Sequence, residues 1–137
     1  MTNIQSDKLV ISAADDRLFS FLSNFNNFGR IMPGQVANWK STETECSFTI
    51  QGMADIVLNI VEKQPNSFIR IAASGKTPIP LEMHWSFKSL NETQTETMLS
   101  IEADINPMMA MMVKSPLQNF VNMIVAKLKE MAETGML

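Results

Sequence analysis

The sequence predicts an α+β fold: a curved antiparallel sheet of about seven strands wrapped around one long C-terminal helix, with two short helices between strands one and two. Three observations lead there. Between Asn106 and about Thr134, the residues Leu117, Phe120, Val121, Ile124, Val125, Leu128 and Met131 recur at spacings of three and four, an apolar stripe along a helix. From Val36 to Ile105 the texture changes to period two, with one apolar and one wet face. The breaks between those alternating segments are short and rich in turn residues, which implies consecutive antiparallel hairpins. The stripe needs an apolar surface to lie on, and the strands supply one. Burying the stripe is worth about 10–20 kcal/mol gross, before the ordering entropy is subtracted.

In chain order, Lys8 to Ile11 reads as the end of an edge strand that begins near Asn3. Ser12 with Asp15 resembles a capping box, and Asp15 and Asp16 suit the positive end of a helix dipole. Leu18, Phe19, Phe21 and Leu22 then form a helical face that ends at Ser23 or Asn24. Phe25 to Met32 reads as a second short helix with Phe25, Phe28, Ile31 and Met32 on one side, and Pro33-Gly34 ends it.

Strands are expected at about Val36–Ser41, Glu45–Ile50, Met53–Glu62, Phe68–Ser74, Leu81–Ser89 and Thr95–Ile105. Thr42-Glu43-Thr44, Gln51-Gly52, Gln64-Pro65-Asn66, Gly75-Lys76-Thr77-Pro78 and Asn91-Glu92 break them. Alternation turns Cys46, Phe48, Ile50, Ile56, Leu58, Ile60, Met83, Trp85, Phe87, Leu99 and Ile101 inward. Trp39 falls on the face of Ala37, near one end of the inward aromatic set, while His84, Glu82, Arg70 and Glu102 face outward. Asn106 caps the last helix with Pro107 at its first position. Pro116 predicts either a kink near Val113 or a short helix abutting the long one. Gln118, Asn119, Asn122, Lys127, Lys129, Glu130 and Glu133 lie between the stripe positions and suit water.

Composition narrows the function classes. A chain of 137 residues suits one domain, and 45% hydrophobic with 18% charged residues is globular. The net charge of -3 gives no basic field, so no nucleic-acid partner is expected. No apolar run approaches the ~20 residues that span a bilayer, so no stable membrane insertion is expected. The start lacks the pattern of a signal peptide, and the single cysteine suits a reducing compartment. The expectation is a cytoplasmic protein, a monomer or a weak homodimer paired through an edge strand.

The element order, with Ser12 to Phe19 opening the first helix, the Asn27-to-Pro33 turn, and Ala103-Asp104-Ile105-Asn106-Pro107 entering the last one, carries a resemblance. The chain resembles the START-like, or Bet v 1-like, superfamily of helix-grip proteins, in particular its small bacterial SRPBCC members. That superfamily includes polyketide cyclases and lipid-transfer domains. The resemblance covers nearly the whole chain, read as one START-like domain over residues 1–137. It implies a sheet that curls around the last helix, with a cavity between them for a hydrophobic or amphipathic small molecule.

The ligand-binding residues expected on this reading are Phe48, Ile56, Leu58, Met83, Trp85, Phe87, Leu99, Ile101, Phe120 and Ile124, with Met108 and Met112 at the rim. Ile31, Met32, the Gly75–Pro80 loop and the other methionines of 108–112 complete that rim, where Lys76 would meet an acidic head group. The same inward residues would equally pack a closed core.

No catalytic set stands out. His84 faces water, Cys46 reads as a small buried hydrophobe, and Glu102 with Asp104 reads as solvated surface. No metal-ligand spacing and no glycine-rich phosphate loop occur, so neither metal nor cofactor is expected. Two alternatives to ligand binding stay open. A cyclase- or hydrolase-type enzyme needs an acid–base group inside the cavity. An interaction module predicts a filled core and an exposed apolar patch. The ligand-binding reading requires an enclosed space beside Trp85 and Phe120 and falls without one.

Overall fold

In a computed structural model the chain is described at residues 2–32, 34, 36–50, 54–73, 80–135 and 137. The expected breaks Gln51-Gly52 and Gly75–Pro78, the residue Lys76, and Pro33, Met53 and Ser74 lie outside the described residues. The elements are β1 (Thr2–Gln5), β2 (Leu9–Ile11), α1 (Asp15–Leu22), α2 (Phe25–Phe28) continued by a 3-10 turn (Gly29–Ile31), β3 (Val36–Ser41), β4 (Glu45–Ile50), β5 (Ala54–Gln64), β6 (Phe68–Ala73), β7 (Leu81–Asn91), β8 (Gln94–Ala103) and α3 (Pro107–Glu133). The sheet runs β1-β8-β7-β6-β5-β4-β3, all antiparallel, and β2 also pairs with β8. The predicted meander is present from β3 to β8.

The first strand is divided, which makes eight strands rather than about seven. Gln5 pairs with Ser100 but Leu9 pairs with Thr97, so three residues on one side, Ser6 to Lys8, stand against two on the other, Met98 and Leu99. Ser6 sits at the break, buried, and patches it. Its backbone N–H donates to the Leu99 carbonyl at 2.8 Å, and its Oγ accepts from the Leu99 N–H at 2.9 Å. Asp7 and Lys8 are exposed beside it.

The helix α3 is continuous, with Pro116 inside it, so the two-helix alternative is excluded. Asn106 caps it, accepting from the Met109 N–H at 2.8 Å. The seven stripe residues are all buried. Between them, four residues expected to face only water hold the backbone of the edge strands and of the residues that flank β2 instead. Gln118 Nε2 donates to the Gln5 carbonyl at 2.6 Å, and Asn122 Oδ1 accepts from the Asp7 N–H at 3.0 Å. Lys129 Nζ donates to the Val10 carbonyl at 2.8 Å, and Glu133 Oε2 accepts from the Ser12 N–H at 3.2 Å. An edge strand presents unpaired backbone groups, and this helix satisfies them with its own side chains.

That last bond also corrects the predicted capping box. Ala14 is the N-cap of α1 and makes no side-chain cap, while the backbone of Ser12 belongs to the Glu133 carboxylate. Among the described residues, no helix is long and apolar enough to cross a membrane.

Candidate functional site: the inner face of the sheet

Alternation delivers the inner face as expected on β4 to β8. Cys46, Phe48, Ile56, Leu58, Ile69, Ile71, Met83, Trp85, Phe87, Leu99 and Ile101 are buried in one cluster with Leu117, Phe120, Ile124 and Leu128 of α3. Ten of the twelve expected ligand-binding residues therefore stand together: Phe48, Ile56, Leu58, Met83, Trp85, Phe87, Leu99, Ile101, Phe120 and Ile124. The structure places the other two, Met108 and Met112, elsewhere. They are 76% and 72% exposed on the first turns of α3, where Ala110, Val113 and Leu117 form the line turned towards the protein.

β3 departs from simple alternation. Ala37 pairs with Thr49 and Lys40 with Ser47, so two residues, Asn38 and Trp39, stand opposite Phe48 alone. Asn38 takes a positive φ of 57° to make this bulge, a conformation that asparagine tolerates. The extra residue reverses the parity. Ala37 goes with Thr49 of the outer face, whereas Trp39 stacks on Phe48 of the inner face at 5.5 Å.

Rings run across the interior in sequence. Phe87 stacks on Trp85 at 6.3 Å, and Trp85 meets the edge of Phe28 at 6.0 Å and 73°. Phe28 lies parallel to Trp39 at 6.3 Å and 7°. Beyond the Trp39–Phe48 stack, Phe48 faces Phe120 of α3 at 6.5 Å. Such pairs add to the burial of each ring. Phe28 is thus the ring that joins the two indoles, and α2 exists to place it. That helix is a single turn, started by Asn24 Oδ1 accepting from the Asn26 N–H at 2.9 Å.

Trp85 is 0% and Phe120 is 3% exposed, so both rings are shielded from solvent.

Two polar atoms in this apolar interior lack a partner among the described residues: Trp85 Nε1 and Thr97 Oγ1, each on a fully buried side chain. They belong to the same patch. Trp85 pairs with Leu99 and Phe87 with Thr97, so Trp85 and Thr97 are diagonal neighbours on adjoining strands and the same face. Diagonal neighbours lie about 7–8 Å apart. An indole N–H offers one donor, and a hydroxyl offers one donor and two acceptor positions. Buried polar groups are nearly always hydrogen-bonded, which makes two unpaired ones on one patch unusual. Thr95, the next inward residue of β8, is by contrast satisfied, donating to the Ala13 carbonyl at 2.8 Å.

Thr97 is a residue of this site that the sequence reading passes over, and Phe28 is read there only on the apolar side of the second short helix. Thr97 shares parity with Leu99 and Ile101, and that signal could have placed it inside despite its polarity.

The remaining polar chemistry lies elsewhere. Burial pushes the Cys46 thiol up to about 12, so it stays protonated at neutral pH. On the outer face, Arg70 bridges Glu62 at 3.2 Å and Glu82 at 3.5 Å, and His84 Nε2 lies 3.0 Å from Glu82 Oε1. The His84 hydrogen bond, with the Arg70 charge beside it, holds the Glu82 carboxyl below its ordinary range. Among the described residues no carboxylate or histidine is buried, and none form a group of three suited to a metal ion.

No family model and no curated protein matches the chain. Solved structures do. A protein from Thermus thermophilus superposes with a TM-score of 0.77 at 13% identity, over 99% of this chain and 100% of that one. A START superfamily protein from Mycobacterium smegmatis gives 0.76 at 13%, over 96% and 97%. The Aha1 dimer from Colwellia psychrerythraea gives 0.69 at 15%, over 98% of each chain. At these identities the likeness is one of fold. The chain has a START-like, Bet v 1-like fold.

Proposed function

We propose that the protein binds a small, predominantly apolar molecule carrying one hydrogen-bonding oxygen, held between the sheet and α3 against Trp85 and Thr97. The observation that carries this reading is the pair of unpartnered polar atoms on an otherwise apolar wall. A core selected only for packing gains nothing from a buried hydroxyl and N–H without partners, and each such group costs about 1–3 kcal/mol. A carbonyl, ether or hydroxyl oxygen would accept from the indole and pair with the threonine. Apolar surface around one or two polar anchors is the ordinary design of a small-molecule site. Phe48, Ile56, Leu58, Met83, Phe87, Leu99, Ile101, Phe120 and Ile124 form the apolar wall on this reading. The START-like fold is consistent with it.

Native mass spectrometry of gently purified protein tests the reading. The expected spectrum contains a species heavier than the bare chain by one small molecule, with its share reduced in T97V. A bare chain under all mild conditions contradicts it.

A second reading, a protein-interaction module, has its own observation. Met108, Met111 and Met112 are 76%, 85% and 72% exposed on one short stretch of α3. Methionine suits adaptable contact surfaces. A homodimer or another protein partner would bury that patch. Sedimentation of the wild type against a variant with these three methionines changed to Ser distinguishes the readings. Self-association lost in the variant favours the second.

A further inference from the structure

We propose that Phe28 occupies the ligand's own place, so that α2 is a plug and binding exchanges the Phe28 ring for the ligand. The proposal rests on the ligand reading above and specifies how that site is controlled.

Phe28 is fully buried and lies between both tryptophans, edge-on to Trp85 and parallel to Trp39. It covers the wall that carries the unpaired indole N–H, and a phenyl ring supplies no conventional acceptor to it. The Phe28 ring therefore shields this wall but leaves the indole N–H without an acceptor. A molecule of similar bulk with one oxygen would shield the wall and supply that acceptor.

The element carrying Phe28 is suited to withdrawal. A one-turn helix has little stability of its own and stays folded through its contacts. Besides the burial of Phe25 and Phe28, these include hydrogen bonds to neighbouring segments. The Phe25 N–H donates to the Glu43 carbonyl at 3.0 Å, Ser41 Oγ donates to Asn26 Oδ1 at 2.7 Å, and Asn27 Nδ2 donates to the Phe21 carbonyl at 3.2 Å. The 3-10 turn that follows ends beside an open groove of about 390 Å³, lined by Ile31, Met32, Met123, Ala126, Lys127 and Glu130. Entry from this groove would reach the inner face by lifting the same segment. Local opening of weakly held elements is the usual source of such access.

The test is the affinity for 2-octanone, a neutral apolar ketone, measured by calorimetry on the wild type, F28L and F25L. Phe25 touches Phe28 at 5.5 Å and is buried like it, so F25L controls for a general loosening of α2. If the plug must leave first, affinity is reduced by the fraction of molecules in which it is already out. F28L is then expected to bind about 10-fold or more tightly than wild type, with F25L close to wild type.

A wild type that binds while F28L binds no tighter overturns the plug and leaves the ligand reading standing. No binding by any of the three overturns both. Should F28L fail to fold, the wild type alone decides by NMR. The Phe28–Trp85 ring contact is expected to vanish in the bound form, and its persistence overturns the proposal.

Discussion

Gly29 shows how closely single residues are constrained around the rings. A Cβ placed on it would lie 2.6 Å from Trp39 Nε1 and 2.9 Å from Trp39 Cε2. Its φ of -58° is ordinary for any residue, so the constraint is steric and not conformational. G29A is expected to cost about 1–3 kcal/mol by overpacking, with a change in Trp39 fluorescence; urea unfolding measures it, and an unchanged midpoint would show that the indole moves aside freely. Thr97 is the opposite case. Replacing an unpaired buried hydroxyl by a methyl of similar shape is expected to leave ligand-free protein as stable or up to about 1 kcal/mol more stable. A loss of several kcal/mol in T97V would mean that the hydroxyl is already satisfied. For Cys46, the raised thiol predicts slow alkylation by iodoacetamide near neutral pH in folded protein and rapid alkylation in urea. Alternation placed Phe48, Trp85 and Leu99 correctly. It set Trp39 near the inward rings, where it stands, but on one face with Ala37, from which a bulge separates it by shifting parity one residue.

At the scale of elements, α3 has two roles. Its stripe buries against the sheet, and its polar flank holds the backbone of β1 and β2 at Gln5 and Val10 and of the flanking Asp7 and Ser12. The stripe was legible because burial imposes a period. The clasp was not, because glutamine or lysine bonded to a distant carbonyl looks the same in sequence as one facing water. The double variant Q118A/N122A is expected to lose about 1 kcal/mol per bond and to self-associate as the β1–β2 edge is freed. Equilibrium denaturation and sedimentation check this, and a double variant with unaltered stability and mass would remove the clasp from the account. The division of β1 from β2 was hidden for a related reason. A single extra residue, patched by one serine, leaves Ile4 and Ile11 buried on either side of the break.

For the whole molecule, fold was readable well ahead of site. Strand order, the long helix and the two-helix insert follow from periodicity and turn chemistry, whereas the state of the interior depends on which rings meet from distant parts of the chain, as Phe28 meets Trp85 and Phe48 meets Phe120. Stability against pH follows from the surface network. Lys129, with the Ser12 N–H, holds the Glu133 carboxyl below its ordinary 4.5. Gln64 and Arg70 do the same for Glu62, and His84 with Arg70 for Glu82. A depressed folded-state value means that the unfolded chain binds protons first as pH falls. The contribution is therefore complete above the ordinary value and is lost as pH drops below about 4.5 and through the folded-state values. Urea midpoints at pH 6 and pH 3.5 are expected to differ more for wild type than for E133Q, and equal differences would set that carboxylate aside.

The claim at the centre is that Trp85 and Thr97 await an oxygen. With only two tryptophans, each indole N–H can be followed separately by NMR, using W39F for assignment. On addition of 2-octanone, the Trp85 indole proton is expected to move downfield as it acquires an acceptor, while octane leaves it in place. A Trp85 signal that stays unmoved at ketone concentrations that saturate binding would contradict the account.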